Sequence, residues 1–174
     1  MNILPELVEE RRVSLEEVLL SRDMRQERQQ EWMSRYAVTL ISLTIVVPGE
    51  CKDTLLSRRA FNIAWQSLAS LLAEKGWRTV DKAVFCLPTG PEGLLAVDFS
   101  PEEVKRACVE LEQQSAVGRL WDIDVIGPEG ILSRQMFGLA PRSCLVCSRD
   151  ARLCARERTH SLSELHQAME ALLP

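Results

Sequence analysis

The chain has 174 residues, of which 46% are hydrophobic and 26% charged, and this balance predicts one soluble globular domain covering residues 1–174. A net charge of −4 argues against a general nucleic-acid binder. The longest apolar stretch, 37–47, is too short to cross a bilayer, and residues 1–10 contain three glutamates and no apolar signal core. We therefore expect a cytoplasmic protein with no membrane partner.

Hydrophobic periodicity and turn residues divide the chain into interleaved helices and strands. Predicted helices span 15–35, 56–75, 101–114 and 162–173, and predicted strands span 38–47, 79–87, 94–99, 120–126 and 131–135. Turn-rich segments at 88–93 and 127–130 each join two strands as a hairpin, and the first should be an exposed loop. The pattern predicts an α+β fold whose mixed, largely antiparallel sheet is flanked by helices.

Helix boundaries and one unusual helix face stand out in this pattern. Three capping boxes are predicted, at Ser14 with Glu17, Ser100 with Glu103, and Ser161 with Glu164. The first helix is polar on nearly every side between 21 and 31, so it either faces solvent or presents its arginines to a ligand. Arginine binds phosphate oxygens in pairs, although a compositional bias of the genome would also explain its abundance.

Two aspartates on the strand 120–126 are the strongest chemical signal. Asp122 and Asp124 lie two residues apart, so both project from the same face of a strand while Trp121 and Ile123 point into the core. Like charges side by side destabilise a strand, whereas Mg²⁺ is bound by one or two carboxylates together with substrate phosphate oxygens. The spacing indicates a Mg²⁺ site, with Arg119 available for the phosphates; a solvated edge strand is the alternative.

A cysteine cluster near the C-terminus has the spacing of a zinc site. Cys144, Cys147, Cys154 and His160 form a C-x₂-C-x₆-C-x₅-H pattern, and His160 immediately precedes the last predicted helix. A zinc ion would hold together the segment 140–160, which is otherwise a loop rich in cysteine and arginine. Reduced cysteines without a metal are the alternative.

Six segments together resemble the family of apo-citrate lyase phosphoribosyl-dephospho-CoA transferases, also called holo-citrate lyase synthases. They occur in the family's order, cover nearly the whole chain and lie at 19–29, 48–53, 59–62, 89–93, 118–125 and 142–147. The 118–125 segment, Gly-Arg-Leu-Trp-Asp-Ile-Asp-Val, is closest to a family signature.

The resemblance implies a nucleotidyltransferase-like fold and reaction. The substrate would be 2′-(5″-triphosphoribosyl)-3′-dephospho-CoA, and the acceptor a serine of the acyl carrier (gamma) subunit of citrate lyase, with diphosphate released. Asp122, Asp124 and Arg119 would be catalytic, with Mg²⁺ on the two aspartates. Further groups are expected at the substrate: Arg22, Arg25, Lys52, Arg59, and the backbone at Gly90 and Gly93.

The arginines of the segment 140–160 suggest where the carrier docks. Carrier proteins are usually acidic, so these arginines are a plausible docking surface, with a solvated loop as the alternative. The five arginines lie at 142, 149, 152, 156 and 158. Two other functions stay open from the residues alone: the equivalent transferase for malonate decarboxylase, and a zinc-dependent interaction module without catalysis.

Overall fold

The computed structural model describes residues 1 to 174 and has an α+β fold. The helices are α1 (Leu15–Tyr36), α2 (Leu55–Lys75), α3 (Pro101–Gln113), α4 (Ala151–Glu157) and α5 (Leu162–Leu172). The strands are β1 (Thr39–Ile45), β2 (Arg78–Leu87), β3 (Gly90–Asp98), β4 (Trp121–Gly127) and β5 (Gly130–Leu132). Short 3₁₀ helices cover Ala116–Leu120 and Arg134–Phe137. None of the helices has the length and apolar content to cross a membrane.

The five strands form one sheet in the order β2-β3-β1-β4-β5, and every neighbouring pair is antiparallel. The α+β class and both hairpins, β2–β3 and β4–β5, are confirmed. The expected mixture of parallel and antiparallel pairs is wrong, because β1 inserts between the two hairpins and runs opposite to both of its neighbours.

One face of the sheet carries the main core. In β1, Leu43 lies opposite Gly93 of β3 and Ile123 of β4, so these positions share the face that packs on α2, α3 and α5. Its largest fully buried members include Trp121, Phe61, Leu43, Leu68, Val104 and Met169. This continuous apolar layer fixes the register of β4 and therefore decides which of its residues point away from the core.

The opposite face of the sheet is covered by α1 and is only half apolar. Trp32, in the second half of α1, packs against Leu40, Leu94, Ala96 and Ile126. The first half of α1 instead lies over polar residues of β1, β3 and β4. The expected polarity of residues 21–31 thus reflects a helix that presents side chains to a polar sheet surface, and not a helix surrounded by solvent.

Helix termini agree with the predicted capping boxes in two of three cases. Ser14 with Glu17 and Ser161 with Glu164 form both reciprocal bonds. The third prediction is wrong, because Ser100 makes no capping bond and its hydroxyl donates to Glu102 instead, 3.1 Å away. Pro101 at the first helical position still favours the start of α3 there.

Two predicted loops are more ordered than expected. The turn between β2 and β3 contains only Pro88 and Thr89, and the positions from Gly90 onward are buried in β3, so the exposed loop at 88–93 is wrong. The segment 140–160 includes α4, which Asp150 caps by accepting from the Arg152 N–H at 2.8 Å.

Candidate active site

Asp122 and Asp124 lie side by side on the face of the sheet that α1 covers. The register places Asp122 opposite Thr44 and Asp124 opposite Ser42, both in β1. Thr44 donates weakly to Asp122 Oδ2 at 3.4 Å. Asp122 is exposed and Asp124 is half-buried, so the pair lies at the edge of the region that α1 shields. The two carboxylates form no salt bridge.

The electrostatics of the pair favour a bound cation. Burial, and then the neighbouring Asp122 charge, raise the pKa of Asp124 to about 6, although Lys105 and Arg25 act in the opposite direction. A strand that keeps two carboxylates together without a counter-ion carries an unfavourable interaction. Mg²⁺ would remove it, because hard cations take carboxylate oxygens as ligands.

A buried glutamate organises the arginines of α1 beside the pair. Glu92 of β3 is only 4% exposed and accepts from Arg25 Nε at 3.0 Å and from Arg28 Nη1 at 3.2 Å. Ser21 of α1 bonds to Thr89 at 2.8 Å and donates to Glu92 at 3.5 Å. Arg28 also stacks over the ring of Phe85, 4.0 Å from its centroid. Five contacts thus hold the middle of α1 against the β2–β3 hairpin.

Lys52 and Arg22 lie at the open end of the same polar surface. Burial and the charge of Arg22 lower the pKa of Lys52, whose ammonium donates to the Val47 carbonyl at 2.7 Å. Gly90 has φ +111°, and a Cβ there would lie 3.5 Å from the Lys52 carbonyl oxygen. Arg22 is exposed and forms no salt bridge. The structure therefore brings together three of the expected substrate-binding cations, Arg22, Arg25 and Lys52, near Gly90.

Arg119 points toward the cysteine-rich segment. Its guanidinium donates to the carbonyl of Ser143, and its Nε is buried without a hydrogen-bond partner. Burial, and then the charge of Arg142, lower the pKa of Arg119. Gly118 lies in the 3₁₀ helix that precedes β4, where any side chain would collide with the carbonyl of Glu112.

Two other expected substrate-binding residues lie apart from the carboxylates. Arg59 is on α2, across the sheet from α1, and pairs with Glu6 at 3.3 Å. Gly93 belongs to the core face, where an added Cβ would lie 2.5 Å from the Trp65 ring. The absence of a side chain at Gly93 is explained by this packing.

Cys144, Cys147, Cys154 and His160 form a cluster whose ligand atoms all lie within 4.8 Å of one another. Cys147 Sγ is 3.5 Å from Cys154 Sγ and 3.4 Å from His160 Nε2. Burial raises the pKa of the Cys144 thiol, but the N–H groups of Val146 and Cys147 outweigh burial and bring this pKa down to about 7. The expected grouping of four potential metal ligands is therefore present, and its six-residue gap accommodates the first turn of α4.

The sequence pattern missed Glu92, Arg28 and the pair Gln29–Ser42. Gln29 donates to Ser42 at 2.9 Å, and Ser42 is the register partner of Asp124. Glu92 stands among turn-forming residues, and the following positions, Leu94 to Val97, are apolar on both faces of the strand. No periodicity in the sequence therefore marks Glu92 as a residue of the polar face.

Comparisons with known proteins identify the family of the chain. The family model described as apo-citrate lyase phosphoribosyl-dephospho-CoA transferase matches residues 13–174. Proteins of that name from Escherichia coli O139:H28 and Shigella boydii serotype 18 are each 47% identical over 174 residues, covering 99% of this chain and 95% of the relative. The chain therefore belongs to the apo-citrate lyase phosphoribosyl-dephospho-CoA transferase family.

Proposed function

We propose that this protein transfers the prosthetic group of 2′-(5″-triphosphoribosyl)-3′-dephospho-CoA to a serine of the apo acyl carrier (gamma) subunit of citrate lyase. The serine oxygen bonds to the phosphorus nearest the ribose, the hydroxyl loses its proton, and diphosphate leaves. The observation that supports this reaction best is the uncompensated pair Asp122 and Asp124, next to a group of unpaired or half-buried cations. The names of the 47%-identical relatives favour citrate lyase over malonate decarboxylase, and they favour catalysis over a purely structural module.

Asp122 and Asp124 would hold Mg²⁺, which supplies charge neutralisation on the phosphates and lowers the pKa of the attacking hydroxyl. Nucleotidyl transfer needs alignment and charge stabilisation more than covalent help. Burial raises the pKa of Asp124 and the charge of Arg25 on α1 acts on it in the opposite direction, and the charge of Arg22 acts on Lys52. We assign these three cations to the triphosphate, because the departing diphosphate gains charge as its bond breaks.

The Cys144, Cys147, Cys154 and His160 cluster would hold a structural zinc ion. Tetrahedral zinc with ligands at about 2.0 to 2.3 Å places neighbouring ligand atoms about 3.5 to 3.8 Å apart. The Cys147 contacts of 3.5 and 3.4 Å are close to that spacing. Mass spectrometry of protein purified without chelator tests this assignment, and less than about a tenth of a zinc ion per chain would exclude it.

Three exposed arginines would bind the acidic carrier. Arg142 donates to backbone carbonyls and Arg149 pairs with Glu157 at 2.7 Å, so neither is free for a partner. Arg152, Arg156 and Arg158 are exposed and form no salt bridge. All six cysteines are free thiols, which favours a reducing compartment, and we place the reaction in the cytoplasm.

Incubating the protein with apo carrier, the triphosphoribosyl substrate and Mg²⁺ tests the function. We expect the carrier mass to rise by one phosphoribosyl-dephospho-CoA group while one diphosphate appears per carrier. Asp122→Asn and Asp124→Asn should each lower the rate by at least about a thousandfold, as loss of a main electrostatic group does. Asp98→Asn, which alters an exposed carboxylate paired with Arg78, is the control. Near-normal rates in both site variants would exclude the proposed mechanism.

A further inference from the structure

Two arginines tie the cysteine-rich segment to the start of the strand that bears the aspartates. Arg142, two residues before Cys144, donates from Nη1 to the Trp121 carbonyl at 2.6 Å. Its Nη2 donates to the carbonyls of Arg119 at 2.7 Å and Gly118 at 3.2 Å. Arg119 bonds in the opposite direction, to the Ser143 carbonyl. Residues one or two positions before Cys144 are therefore bonded directly to residues one to three positions before Asp122.

The tied segment, 118–122, is held on three sides. Gly118 lies against the Glu112 carbonyl of α3, and Trp121 is buried in the core at 1% exposure. Arg142 provides the third side, and its planar guanidinium can meet several carbonyls at once because its donors form a fixed fork. The segment is also bonded to the chain after β1, through the Val46 N–H and the Leu120 carbonyl at 2.8 Å. Among these contacts, the one from Arg142 comes from the cysteine-rich segment.

The segment that supplies Arg142 has few other means of staying ordered. Between residues 134 and 160, Cys154 is the only buried residue. The 3₁₀ helix Arg134–Phe137 and its ion pair with Glu112 anchor the start of this segment, and between there and α4 its backbone is organised by an isolated bridge between Ser143 and Asp150. Such a segment has too little apolar contact to be rigid alone. The Cys/His cluster is the feature that can fix the position of Arg142.

We propose that Arg142 and Arg119 are positioning residues, through which the Cys/His cluster sets the place of Asp122 in the active site. The inference rests on the proposed function for the roles of the cluster and of the aspartates. It also gives Arg119 a task that its contacts support, in place of the expected contact with phosphate. Release of the cluster's metal then weakens the site without touching either carboxylate.

Full-length Arg142→Ala, Arg142→Lys and Arg149→Ala proteins test the proposal. Arg149 is a matched control, because it lies in the same segment but bonds within it, to Glu157. We measure zinc content, hydrogen exchange of the peptide covering 118–124, and the Mg²⁺ concentration that gives half-maximal transfer. Arg142→Lys keeps the charge but loses the planar guanidinium, and it replaces Arg142→Ala as the test variant if Arg142→Ala folds poorly.

Arg142→Ala should keep its zinc, exchange 118–124 faster, and need about ten times more Mg²⁺, as loss of an outer-shell partner of a metal site does. Arg142→Lys should be intermediate and Arg149→Ala unchanged. Stripping zinc from the wild type should speed exchange at 118–124, and should add little in Arg142→Ala.

Two results would overturn the proposal. One is zinc removal that speeds exchange in 140–160 but not in 118–124. The other is an unchanged Mg²⁺ requirement in both Arg142 variants. The exchange experiment does not require turnover. If zinc removal speeds exchange at 118–124 in a wild type that transfers nothing, the link between the cluster and β4 is supported. The proposed function alone is then rejected.

Discussion

The two clusters of potential metal ligands differ in how they are built. Asp122 and Asp124 extend from a strand that pairs with β1 at both positions, have no salt-bridge partner, and are exposed and half-buried, respectively. The Cys/His cluster lies in a segment with little core of its own, yet its four ligand atoms lie within 4.8 Å of one another. Under the proposed function, the sheet would hold two carboxylates in place and open to substrate, while the loop would obtain its order from four ligands that close on one metal ion.

We therefore expect the Cys/His cluster to determine mainly stability and the aspartate pair to determine mainly turnover. A closed set of four ligands leaves no position for substrate, as in structural zinc sites, whereas two carboxylates leave most of a Mg²⁺ coordination sphere for water and phosphate. Perturbing the Cys/His cluster should therefore change folding first, and perturbing the aspartates should change transfer first.

Cys147→Ser should produce the largest stability effect, because Cys147 contacts both Cys154 and His160. Structural zinc contributes on the order of 10 kcal/mol in small zinc peptides, so loss of one ligand should release the metal and unfold the segment 140–160. Limited proteolysis should cut there while the sheet persists. Cys86→Ser, at an exposed cysteine of β2, is the control; equal protease resistance in both variants would contradict a structural metal.

Glu92→Gln should have the next largest effect and should change both stability and transfer. The substitution removes the negative charge that Arg25 and Arg28 share. Removing one partner of a buried ion pair destabilises a protein by up to about 3 to 5 kcal/mol. We expect a lower urea midpoint and a several-fold higher KM for the triphosphoribosyl substrate. Glu31→Gln, which breaks an exposed pair with Arg35, should change neither. An unchanged KM would mean that Glu92 does not orient Arg25 for substrate.

The sequence predicted the fold better than the site's surroundings. Element positions followed from periodicity, and the aspartate pair followed from strand alternation, since both signals are local. The helix α4 was missed, although Asp150 precedes seven residues that favour a helix or tolerate one. The helix α4 is short and contains one of the clustered cysteines, and the spacing of these cysteines indicated a loop.

Tertiary contacts decide the positions of residues that the sequence alone could not place. Gly90 and Gly93 resembled turn residues, but one lies close to the Lys52 backbone and the other lies under Trp65. No local signal distinguishes Arg59, whose partner is Glu6, from Arg25, whose partner is Glu92. The sheet order places β3 beside β1 and beneath α1. This arrangement puts Arg25 on the same side of the sheet as the aspartates and Arg59 on the other side.

Asp124→Asn should stabilise the metal-free protein at alkaline pH. Because burial and Asp122 raise the pKa of Asp124 from 3.8 to about 6, its favourable contribution is complete below about pH 4 and is lost as pH rises through 6. The cost above pH 6 is on the order of 2 to 3 kcal/mol. Chemical denaturation of both proteins at pH 5 and pH 8, in buffer without Mg²⁺ and without chelator so that the Cys/His cluster stays intact, checks this.

The control for Asp124→Asn is Asp98→Asn, whose carboxylate is exposed. Wild type should lose more stability than Asp124→Asn between pH 5 and pH 8, and Mg²⁺ should return part of the loss to the wild type alone. Parallel pH profiles would mean that Asp124 carries no buried-charge penalty.

The smallest effect is expected at the proposed docking surface, where Arg152→Glu combined with Arg156→Glu should weaken carrier binding. Exposed charges act mainly on association, so the KM for carrier should rise about five- to tenfold while the KM for the triphosphoribosyl substrate stays constant. Added salt should weaken the wild type more than the variant, because the variant has already lost the attraction that salt screens. Arg78→Glu, exposed at the start of β2, tests whether any charge reversal suffices. An equal rise in KM for carrier with Arg78→Glu would attribute the effect to net charge and would reject α4 as the docking surface.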